Sequence, residues 1–198
     1  MKKLVLATNN AHKVEEMKKL LDGSGYVIQT LSEAGFSGEI EENGTTFEEN
    51  SYIKAATVSK KLGCIAVADD SGLEVDCLGG APGVYSARYA GEHATDTQNL
   101  DKLLCAVAGQ KDRRARFVSV ITAVFEDGSA LSARGECEGI IIDERRGAGD
   151  FGYDPVFFYE PAGKTFAEMT MQEKNAVSHR GRAMKKFAEM FFLDKRSR

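Results

Sequence analysis

Arg116–Glu138 reads RFVSVITAVFEDGSALSARGECE. Arg116 to Phe125 is a long β-branched and apolar run, Asp127-Gly128 marks a turn, and Ala130 to Glu138 returns as a second run. This pattern predicts a hairpin, because Asp-Gly readily takes the positive φ that tight hairpin turns demand. A hairpin pairs antiparallel, so a sheet that contains it is mixed rather than purely parallel.

Upstream of the hairpin the chain alternates strands and helices. Leu4 to Ala7 is an apolar run bounded by Thr8-Asn9-Asn10, and from Lys13 the period becomes helical, with Val14, Met17, Leu20 and Leu21 on one stripe before Asp22-Gly23. Tyr26 to Leu31 reads as a second strand, and Gly35 to Gly44 as a polar loop carrying Glu39, Glu41 and Glu42. Thr45 or Thr46 caps a helix from Phe47 to Leu62, with Phe47, Ala55, Val58 and Leu62 as candidate core positions. Cys64 to Ala68 is a buried strand ending on Asp69-Asp70-Ser71-Gly72, after which Leu73, Val75 and Cys77 alternate as a strand does. Leu78 to Gly91 is a loop with Pro82 and four glycines. Thr95 or Asp96 caps a helix whose stripe is Leu100, Leu103, Leu104 and Val107. Downstream, Val156 to Tyr159 reads as a strand. A terminal helix from about Ser178 turns Ala183, Phe187 and Met190 inward and ends in the polar tail Lys195–Arg198. The expected fold is α/β with a mixed sheet.

A chain of 198 residues and 21.6 kDa fits one large domain or two closely packed lobes, and is long enough to bury its own core. With 26 basic and 30 acidic residues the net charge is −4, which argues against a nucleic-acid polymer as partner but not against one nucleotide in a local basic pocket. The apolar runs are short, and MKKLVLATNN turns polar too early for a signal peptide, so a cytoplasmic protein without a membrane partner is expected. Cys64, Cys77, Cys105 and Cys137 stand far apart with no CxxC pair and read as structural thiols, Cys64 and Cys105 among apolar neighbours.

Four segments could carry chemistry. Thr8-Asn9-Asn10-Ala11-His12-Lys13 lies between a strand and a helix, where backbone N–H groups and the positive helix end favour an anion. The same residues also read as an ordinary Asn cap with a surface lysine, and the P-loop pattern is absent. Asp69-Asp70-Ser71-Gly72 follows an apolar strand, where two carboxylates are costly unless solvated, paired or bound to a cation. The competing reading is an Asx turn that closes the strand. Successive strand residues point to opposite faces, so both Asp side chains enter one pocket only if the chain bends. Glu41-Glu42, with Glu48 and Glu49 after them, could supply a metal carboxylate or simply a solvated acidic helix start. Phe151-Gly152-Tyr153-Asp154-Pro155, followed by Lys174 and Ser178-His179-Arg180, offers an aromatic to stack on a base and donors for a carbonyl, or else a packed turn and a basic helix start.

Taken in order, ATNNAHKVEE, EENGTTFEENSYIKA, ADDSGLEVDCLGGAPGVYSARYAG, FGYDPVFF and EKNAVSHRGRA closely resemble the inosine triphosphate pyrophosphatase family, the non-canonical purine nucleoside triphosphatases, along nearly the whole chain. That resemblance implies a single pyrophosphatase domain over residues 1–198, an elongated mixed sheet flanked by helices in two lobes around a central nucleotide cleft, and commonly a homodimer. It implies Mg²⁺-dependent hydrolysis of ITP, dITP or XTP to the monophosphate and pyrophosphate. By matching motif, Thr8, Asn9, Asn10, Ala11, His12 and Lys13 would hold phosphate, with Lys54 as a second cation. Glu41 and Asp70 would bind Mg²⁺, and Asp70 would also be the proton acceptor. Ser71 would touch substrate, and Phe151, Gly152, Tyr153, Asp154, Lys174, His179 and Arg180 would form the base pocket. A nucleotide sensor using the same residues without turnover is the rival expectation; the Asp69-Asp70 pair counts against it, since a binder gains nothing from a positioned base.

Overall fold

The structure is a computed structural model, and it describes residues 2–148 and 151–194. Its sheet has seven strands: β1 (Lys3–Leu6), β2 (Val27–Thr30), β3 (Ile65–Val75), β4 (Arg114–Val124), β5 (Ala130–Ile141), β6 (Phe157–Tyr159) and β7 (Lys164–Thr165), in the order β2-β1-β3-β4-β5-β6-β7. β1 pairs parallel with β2 and β3, whereas β6 pairs antiparallel with β5 and β7. β4 and β5 are neighbours joined through a turn in which Phe125 N–H donates to the Ser129 carbonyl at 2.9 Å. The mixed α/β sheet expected from the hairpin is therefore present. The helices are α1 (Ala11–Leu20), α2 (Phe47–Leu62), α3 (Asp96–Val107), α4 (Met171–Val177) and α5 (His179–Leu193).

The described residues fall into two compact units. One comprises the chain up to Asp70, Val120–Arg134 and the segment from Ala183 onward. Within it the period-two alternation of strands sorts side chains onto two faces. Leu4, Leu6, Ile65 and Val67 pack with Met17, Leu21, Ala183, Phe187 and Phe191, while Val5, Ala7, Ala66 and Ala68 pack with Ala55 and Val58. Phe187 is fully buried, worth about 1.5–3 kcal/mol of hydrophobic free energy relative to exposure. The other unit comprises Ser71–Ser119 and Gly135–Arg182, and its core gathers Leu73, Val75, Leu103, Val107, Phe117, Phe157 and Phe166.

Thr46 caps α2 by accepting from the Glu49 N–H, and Thr95 caps α3 in a capping box with Gln98. Several boundaries differ from expectation. The strand that starts at Ile65 does not stop at Asp69–Gly72 but runs unbroken to Val75, because each carboxylate finds a lysine and the chain has no need to turn outward. β4 begins two residues early, at Arg114, and β5 runs on to Ile141. In α5 the third inward position belongs to Phe191, with Met190 half-buried, and Leu62 and Leu104 are likewise half-buried. Cys105 is exposed on α3, opposite the stripe of Leu100, Leu103 and Val107, while Cys64 and Cys137 are buried; all four cysteines are free thiols. The tail Lys195–Arg198 lies outside the described residues.

Candidate active site

Two groups of the singled-out residues stand out, one in each unit. In the first unit, the chain leaves β1 through Ala7, whose N–H donates to the Val67 carbonyl at 2.7 Å, and enters α1 through Thr8–Asn10. Asn10 is the cap: its Oδ1 accepts the Lys13 N–H at 3.1 Å, and Thr8 Oγ1 accepts the Asn10 N–H at 3.2 Å. Asn9, Asn10, Ala11 and His12 are exposed and Thr8 is half-buried, so the positive end of α1 is accessible to an anion. Lys13, in the first turn, reaches Asp69 with Nζ 2.7 Å from Oδ2, and the Asp69 side chain is 3% exposed.

The alternation of β3 separates the two aspartates. Asp69 follows Ile65 and Val67 to the α1 face, whereas Asp70 follows Ala66 and Ala68 to the α2 face. There Lys54 Nζ lies 2.8 Å from Glu42 Oε2 and 3.5 Å from Asp70 Oδ1, with its own side chain 12% exposed. Asn50, one turn earlier on α2, is buried and accepts the Gly44 N–H through Oδ1 at 2.8 Å. The expected acidic loop thus enters the cluster through Glu42; Glu41, the residue before it, is exposed.

Glu42 and Asp70 both approach Lys54, two carboxylates on one ammonium, which leaves that group of three one negative charge in excess. Burial, with a contribution from Glu42, pushes the Asp70 carboxyl above its usual value, against the pull of Lys54, Asn50 and Lys13. Burial alone would push the Lys54 ammonium down, but Asp70, Glu42 and Asp69 together hold it above its ordinary value, so it stays charged. Asp70 Oδ2 is buried with no hydrogen-bond partner among the described residues. A buried, partnerless carboxylate oxygen in a cluster of excess negative charge suits a hard divalent cation. Among the described residues no three His, Cys, Asp or Glu side chains form a ready cage. Mg²⁺ fits such a donor set, since it binds through one or two carboxylates and completes its shell with water and phosphate.

The second group lies in the other unit. Phe151 is 72% exposed, whereas Tyr153 is buried and its hydroxyl donates to the Ser86 carbonyl at 2.7 Å. Of the two aromatics in the FGYDP segment, the exposed one is Phe151; burial pushes the Tyr153 hydroxyl up in pKa and commits it to the core. Gly152 N–H donates to the Asp96 carboxylate at 2.9 Å. Asp154 is buried and paired with Lys174, and burial outweighs that lysine in setting its carboxyl above the usual value. Lys174 sits in the last turn of α4, where the dipole favours a cation, with Nζ 5.5 Å from the Phe151 ring centroid. Ser178 Oγ accepts the Gly181 N–H at 3.1 Å and so starts α5. His179 stacks on Phe117, ring centroids 4.9 Å apart at 16°, and Arg180 beside it is half-buried, as is Ser71 on β3. Sequence reasoning passed over Asn50 and Asp96. The one available signal for Asn50 was its position four residues before Lys54, on the same helical face.

The chain is 51% identical over 197 residues to a dITP/XTP pyrophosphatase of Clostridium perfringens, covering 96% of this chain and 97% of that one. It is 45% identical over 192 residues to a dITP/XTP pyrophosphatase of Bacillus subtilis, covering 96% and 97%. Among solved structures, a HAM1 protein from Coxiella burnetii superposes with a TM-score of 0.91 at 42% identity, over 96% of this chain and 98% of that one. The nucleoside-triphosphatase / dITP/XTP pyrophosphatase of Mycobacterium abscessus does so with a TM-score of 0.83 at 39% identity, over 92% and 97%. The sequence profile of the Ham1 family matches residues 4–190, a span that takes in both groups of residues described above, and the chain belongs to that family.

Proposed function

We propose that this protein hydrolyses the non-canonical purine nucleoside triphosphates ITP, dITP and XTP to the monophosphate and pyrophosphate, removing them from the nucleotide pool. The observation that carries the reading is Asp70, a buried carboxylate with one oxygen unbonded beside two lysines, in a chain half identical to proteins named for this activity. The triphosphate binds at the N-terminus of α1, where the backbone of Thr8–His12 and the Lys13 ammonium meet its charge, and Lys54 adds a second cation. Glu41 and Asp70 would hold Mg²⁺, which when bound would supply charge neutralisation at the phosphates and a lowered pKa for a water. Asp70 orients the attacking water and accepts its proton. Phe151 stacks on the base; Gly152, Tyr153, Asp154 and Ser71 shape its surroundings together with Lys174. His179 and Arg180 donate to the purine 6-oxo oxygen. Adenine presents an amino donor there, which leaves those donors unpaired and rejects ATP.

The whole chain works as one pyrophosphatase domain, as a homodimer, in the cytoplasm where free nucleotides occur. Among the described residues, no helix is long and apolar enough to cross a membrane.

Pyrophosphate release from ITP, dITP, XTP, ATP and GTP, with and without Mg²⁺, tests the reading. Release from ITP and XTP should require Mg²⁺ and exceed release from ATP by about 10²-fold or more in kcat/KM. Tight binding of ITP in Mg²⁺ without any release would make the protein a nucleotide sensor.

A further inference from the structure

We infer that Asp96, the first residue of α3, is a positioning residue for base recognition: its carboxylate holds the Phe151–Gly152 peptide and so sets where the exposed Phe151 ring stands. The inference rests on the reading of Phe151 as the ring that stacks on the base. Both polar groups of that one peptide unit are engaged. The Phe151 carbonyl accepts the Asp154 N–H at 3.2 Å, which closes the turn from Phe151 to Asp154. The Gly152 N–H donates to Asp96 Oδ2 at 2.9 Å, across 56 residues of sequence. The peptide plane is thereby pinned at its two edges, and the orientation of the residue before it follows. Gly152 has φ +55°, and a Cβ built there meets nothing within 4 Å among the described residues. Glycine is therefore needed for its backbone conformation, and hydrogen bonds rather than packing hold the turn at this point. On the far side of Gly152 the chain is anchored in the core, by Tyr153 on the Ser86 carbonyl and by Asp154 with Lys174. Phe151 lies beyond those anchors, 72% exposed.

Helix α3 has no need of Asp96 for its cap. Thr95 Oγ1 accepts the Gln98 N–H at 3.2 Å and Gln98 Oε1 accepts the Thr95 N–H at 2.8 Å, a complete capping box. The Asp96 side chain is left to turn outward to Gly152. A carboxylate in the first turn also favours the helix dipole, so its charge has a structural effect of its own. Asparagine separates the two effects. It loses the charge but keeps an oxygen that accepts the Gly152 N–H, whereas alanine loses both.

The test measures KM and kcat for ITP in Asp96→Ala, Asp96→Asn, Phe151→Ala and the double variant of Phe151→Ala with Asp96→Ala. Phe151→Ala should raise KM by about tenfold to a hundredfold, the scale of one base–aromatic stack. Asp96→Ala should raise KM by about tenfold, the low end of what one hydrogen bond to a charged group is worth. In both, kcat should stay within about twofold, because stacking holds ground state and transition state alike. Asp96→Asn should keep KM within about twofold of the parent, since the acceptor remains. In the Phe151→Ala background, Asp96→Ala should add less than about twofold, because no ring is left to place. The inference is overturned if Asp96→Ala keeps the parent KM, if its loss lies in kcat, if Asp96→Asn loses as much as alanine, or if the two substitutions multiply in the double variant. Phe151→Ala separates the two levels. A parent-like KM in that variant removes the stacking reading itself, whereas a raised KM there beside a parent-like Asp96→Ala removes only the role of Asp96.

Discussion

Asp70→Asn should lower kcat on ITP by about 10²–10⁴-fold, the usual contribution of a positioned general base, while nucleotide affinity changes by less than about tenfold. Asparagine keeps the volume and an oxygen for the Lys54 contact, but its amide cannot accept a proton as the carboxylate does, and one charge is lost beside Lys54. Initial rates and equilibrium binding, measured on the same preparation, separate the two effects. Near-normal kcat would move the base elsewhere, with Asp69 and Glu41 next in line. Of these, Asp69 is held by Lys13 on the opposite face of β3.

The same substitution should also stabilise the metal-free protein. Burial raises the Asp70 carboxyl above its unfolded value of 3.8, so the folded state keeps its proton to higher pH than the unfolded chain does. Folding stability therefore falls as pH rises from 3.8 through the folded value, and the cost is fully present at neutral pH. Asparagine cannot ionise and escapes that cost. Melting curves without Mg²⁺ should place Asp70→Asn above the parent at pH 7, with the gap closing as pH falls toward 3.8. A gap that widens on acidification would show that the carboxylate is stabilised by the fold.

Arg180→Ala should narrow the preference for ITP over ATP in kcat/KM by about tenfold to a hundredfold, mainly through poorer use of ITP. A hydrogen bond from a charged donor is worth about 1.5–3 kcal/mol, which sets that range. Arg180 stands in the first turn of α5, where the helix dipole disfavours a cation. Lys13→Ala should behave differently and weaken every triphosphate alike, because phosphate carries no base identity. If Arg180→Ala lowers ITP and ATP by the same factor, Arg180 is a phosphate or structural residue, and reading of the base passes to His179, Lys174 or the backbone.

The parts of this architecture that were legible in the sequence are those whose cause is local. The β-branched run after Arg116 and the Asp127-Gly128 turn force a hairpin wherever they occur, and Thr46 and Thr95 cap their helices with contacts three residues away. Alternation along β3 correctly separated Asp69 from Asp70. Its continuity did not show, because the lysines that let two carboxylates stay in the strand come from α1 and α2, far off in sequence. Helix α4 escaped notice since MQEKNAV has no apolar stripe and is started by the capping box of Thr170 and Glu173. Glu41 and Glu42 are neighbours in an aperiodic loop, and only the reach of Lys54 reveals which of them joins the cluster. The burial of Tyr153 and exposure of Phe151 are likewise set by packing around Ser86, not by the FGYDP pattern itself.

Product analysis by ³¹P NMR of ITP incubated with the protein and Mg²⁺ tests the central claim most directly. The account predicts inosine monophosphate and pyrophosphate in equal amounts, from the first turnovers onward, with no inosine diphosphate and no inorganic phosphate. Inosine diphosphate with inorganic phosphate would mean cleavage at the outer anhydride and would contradict it.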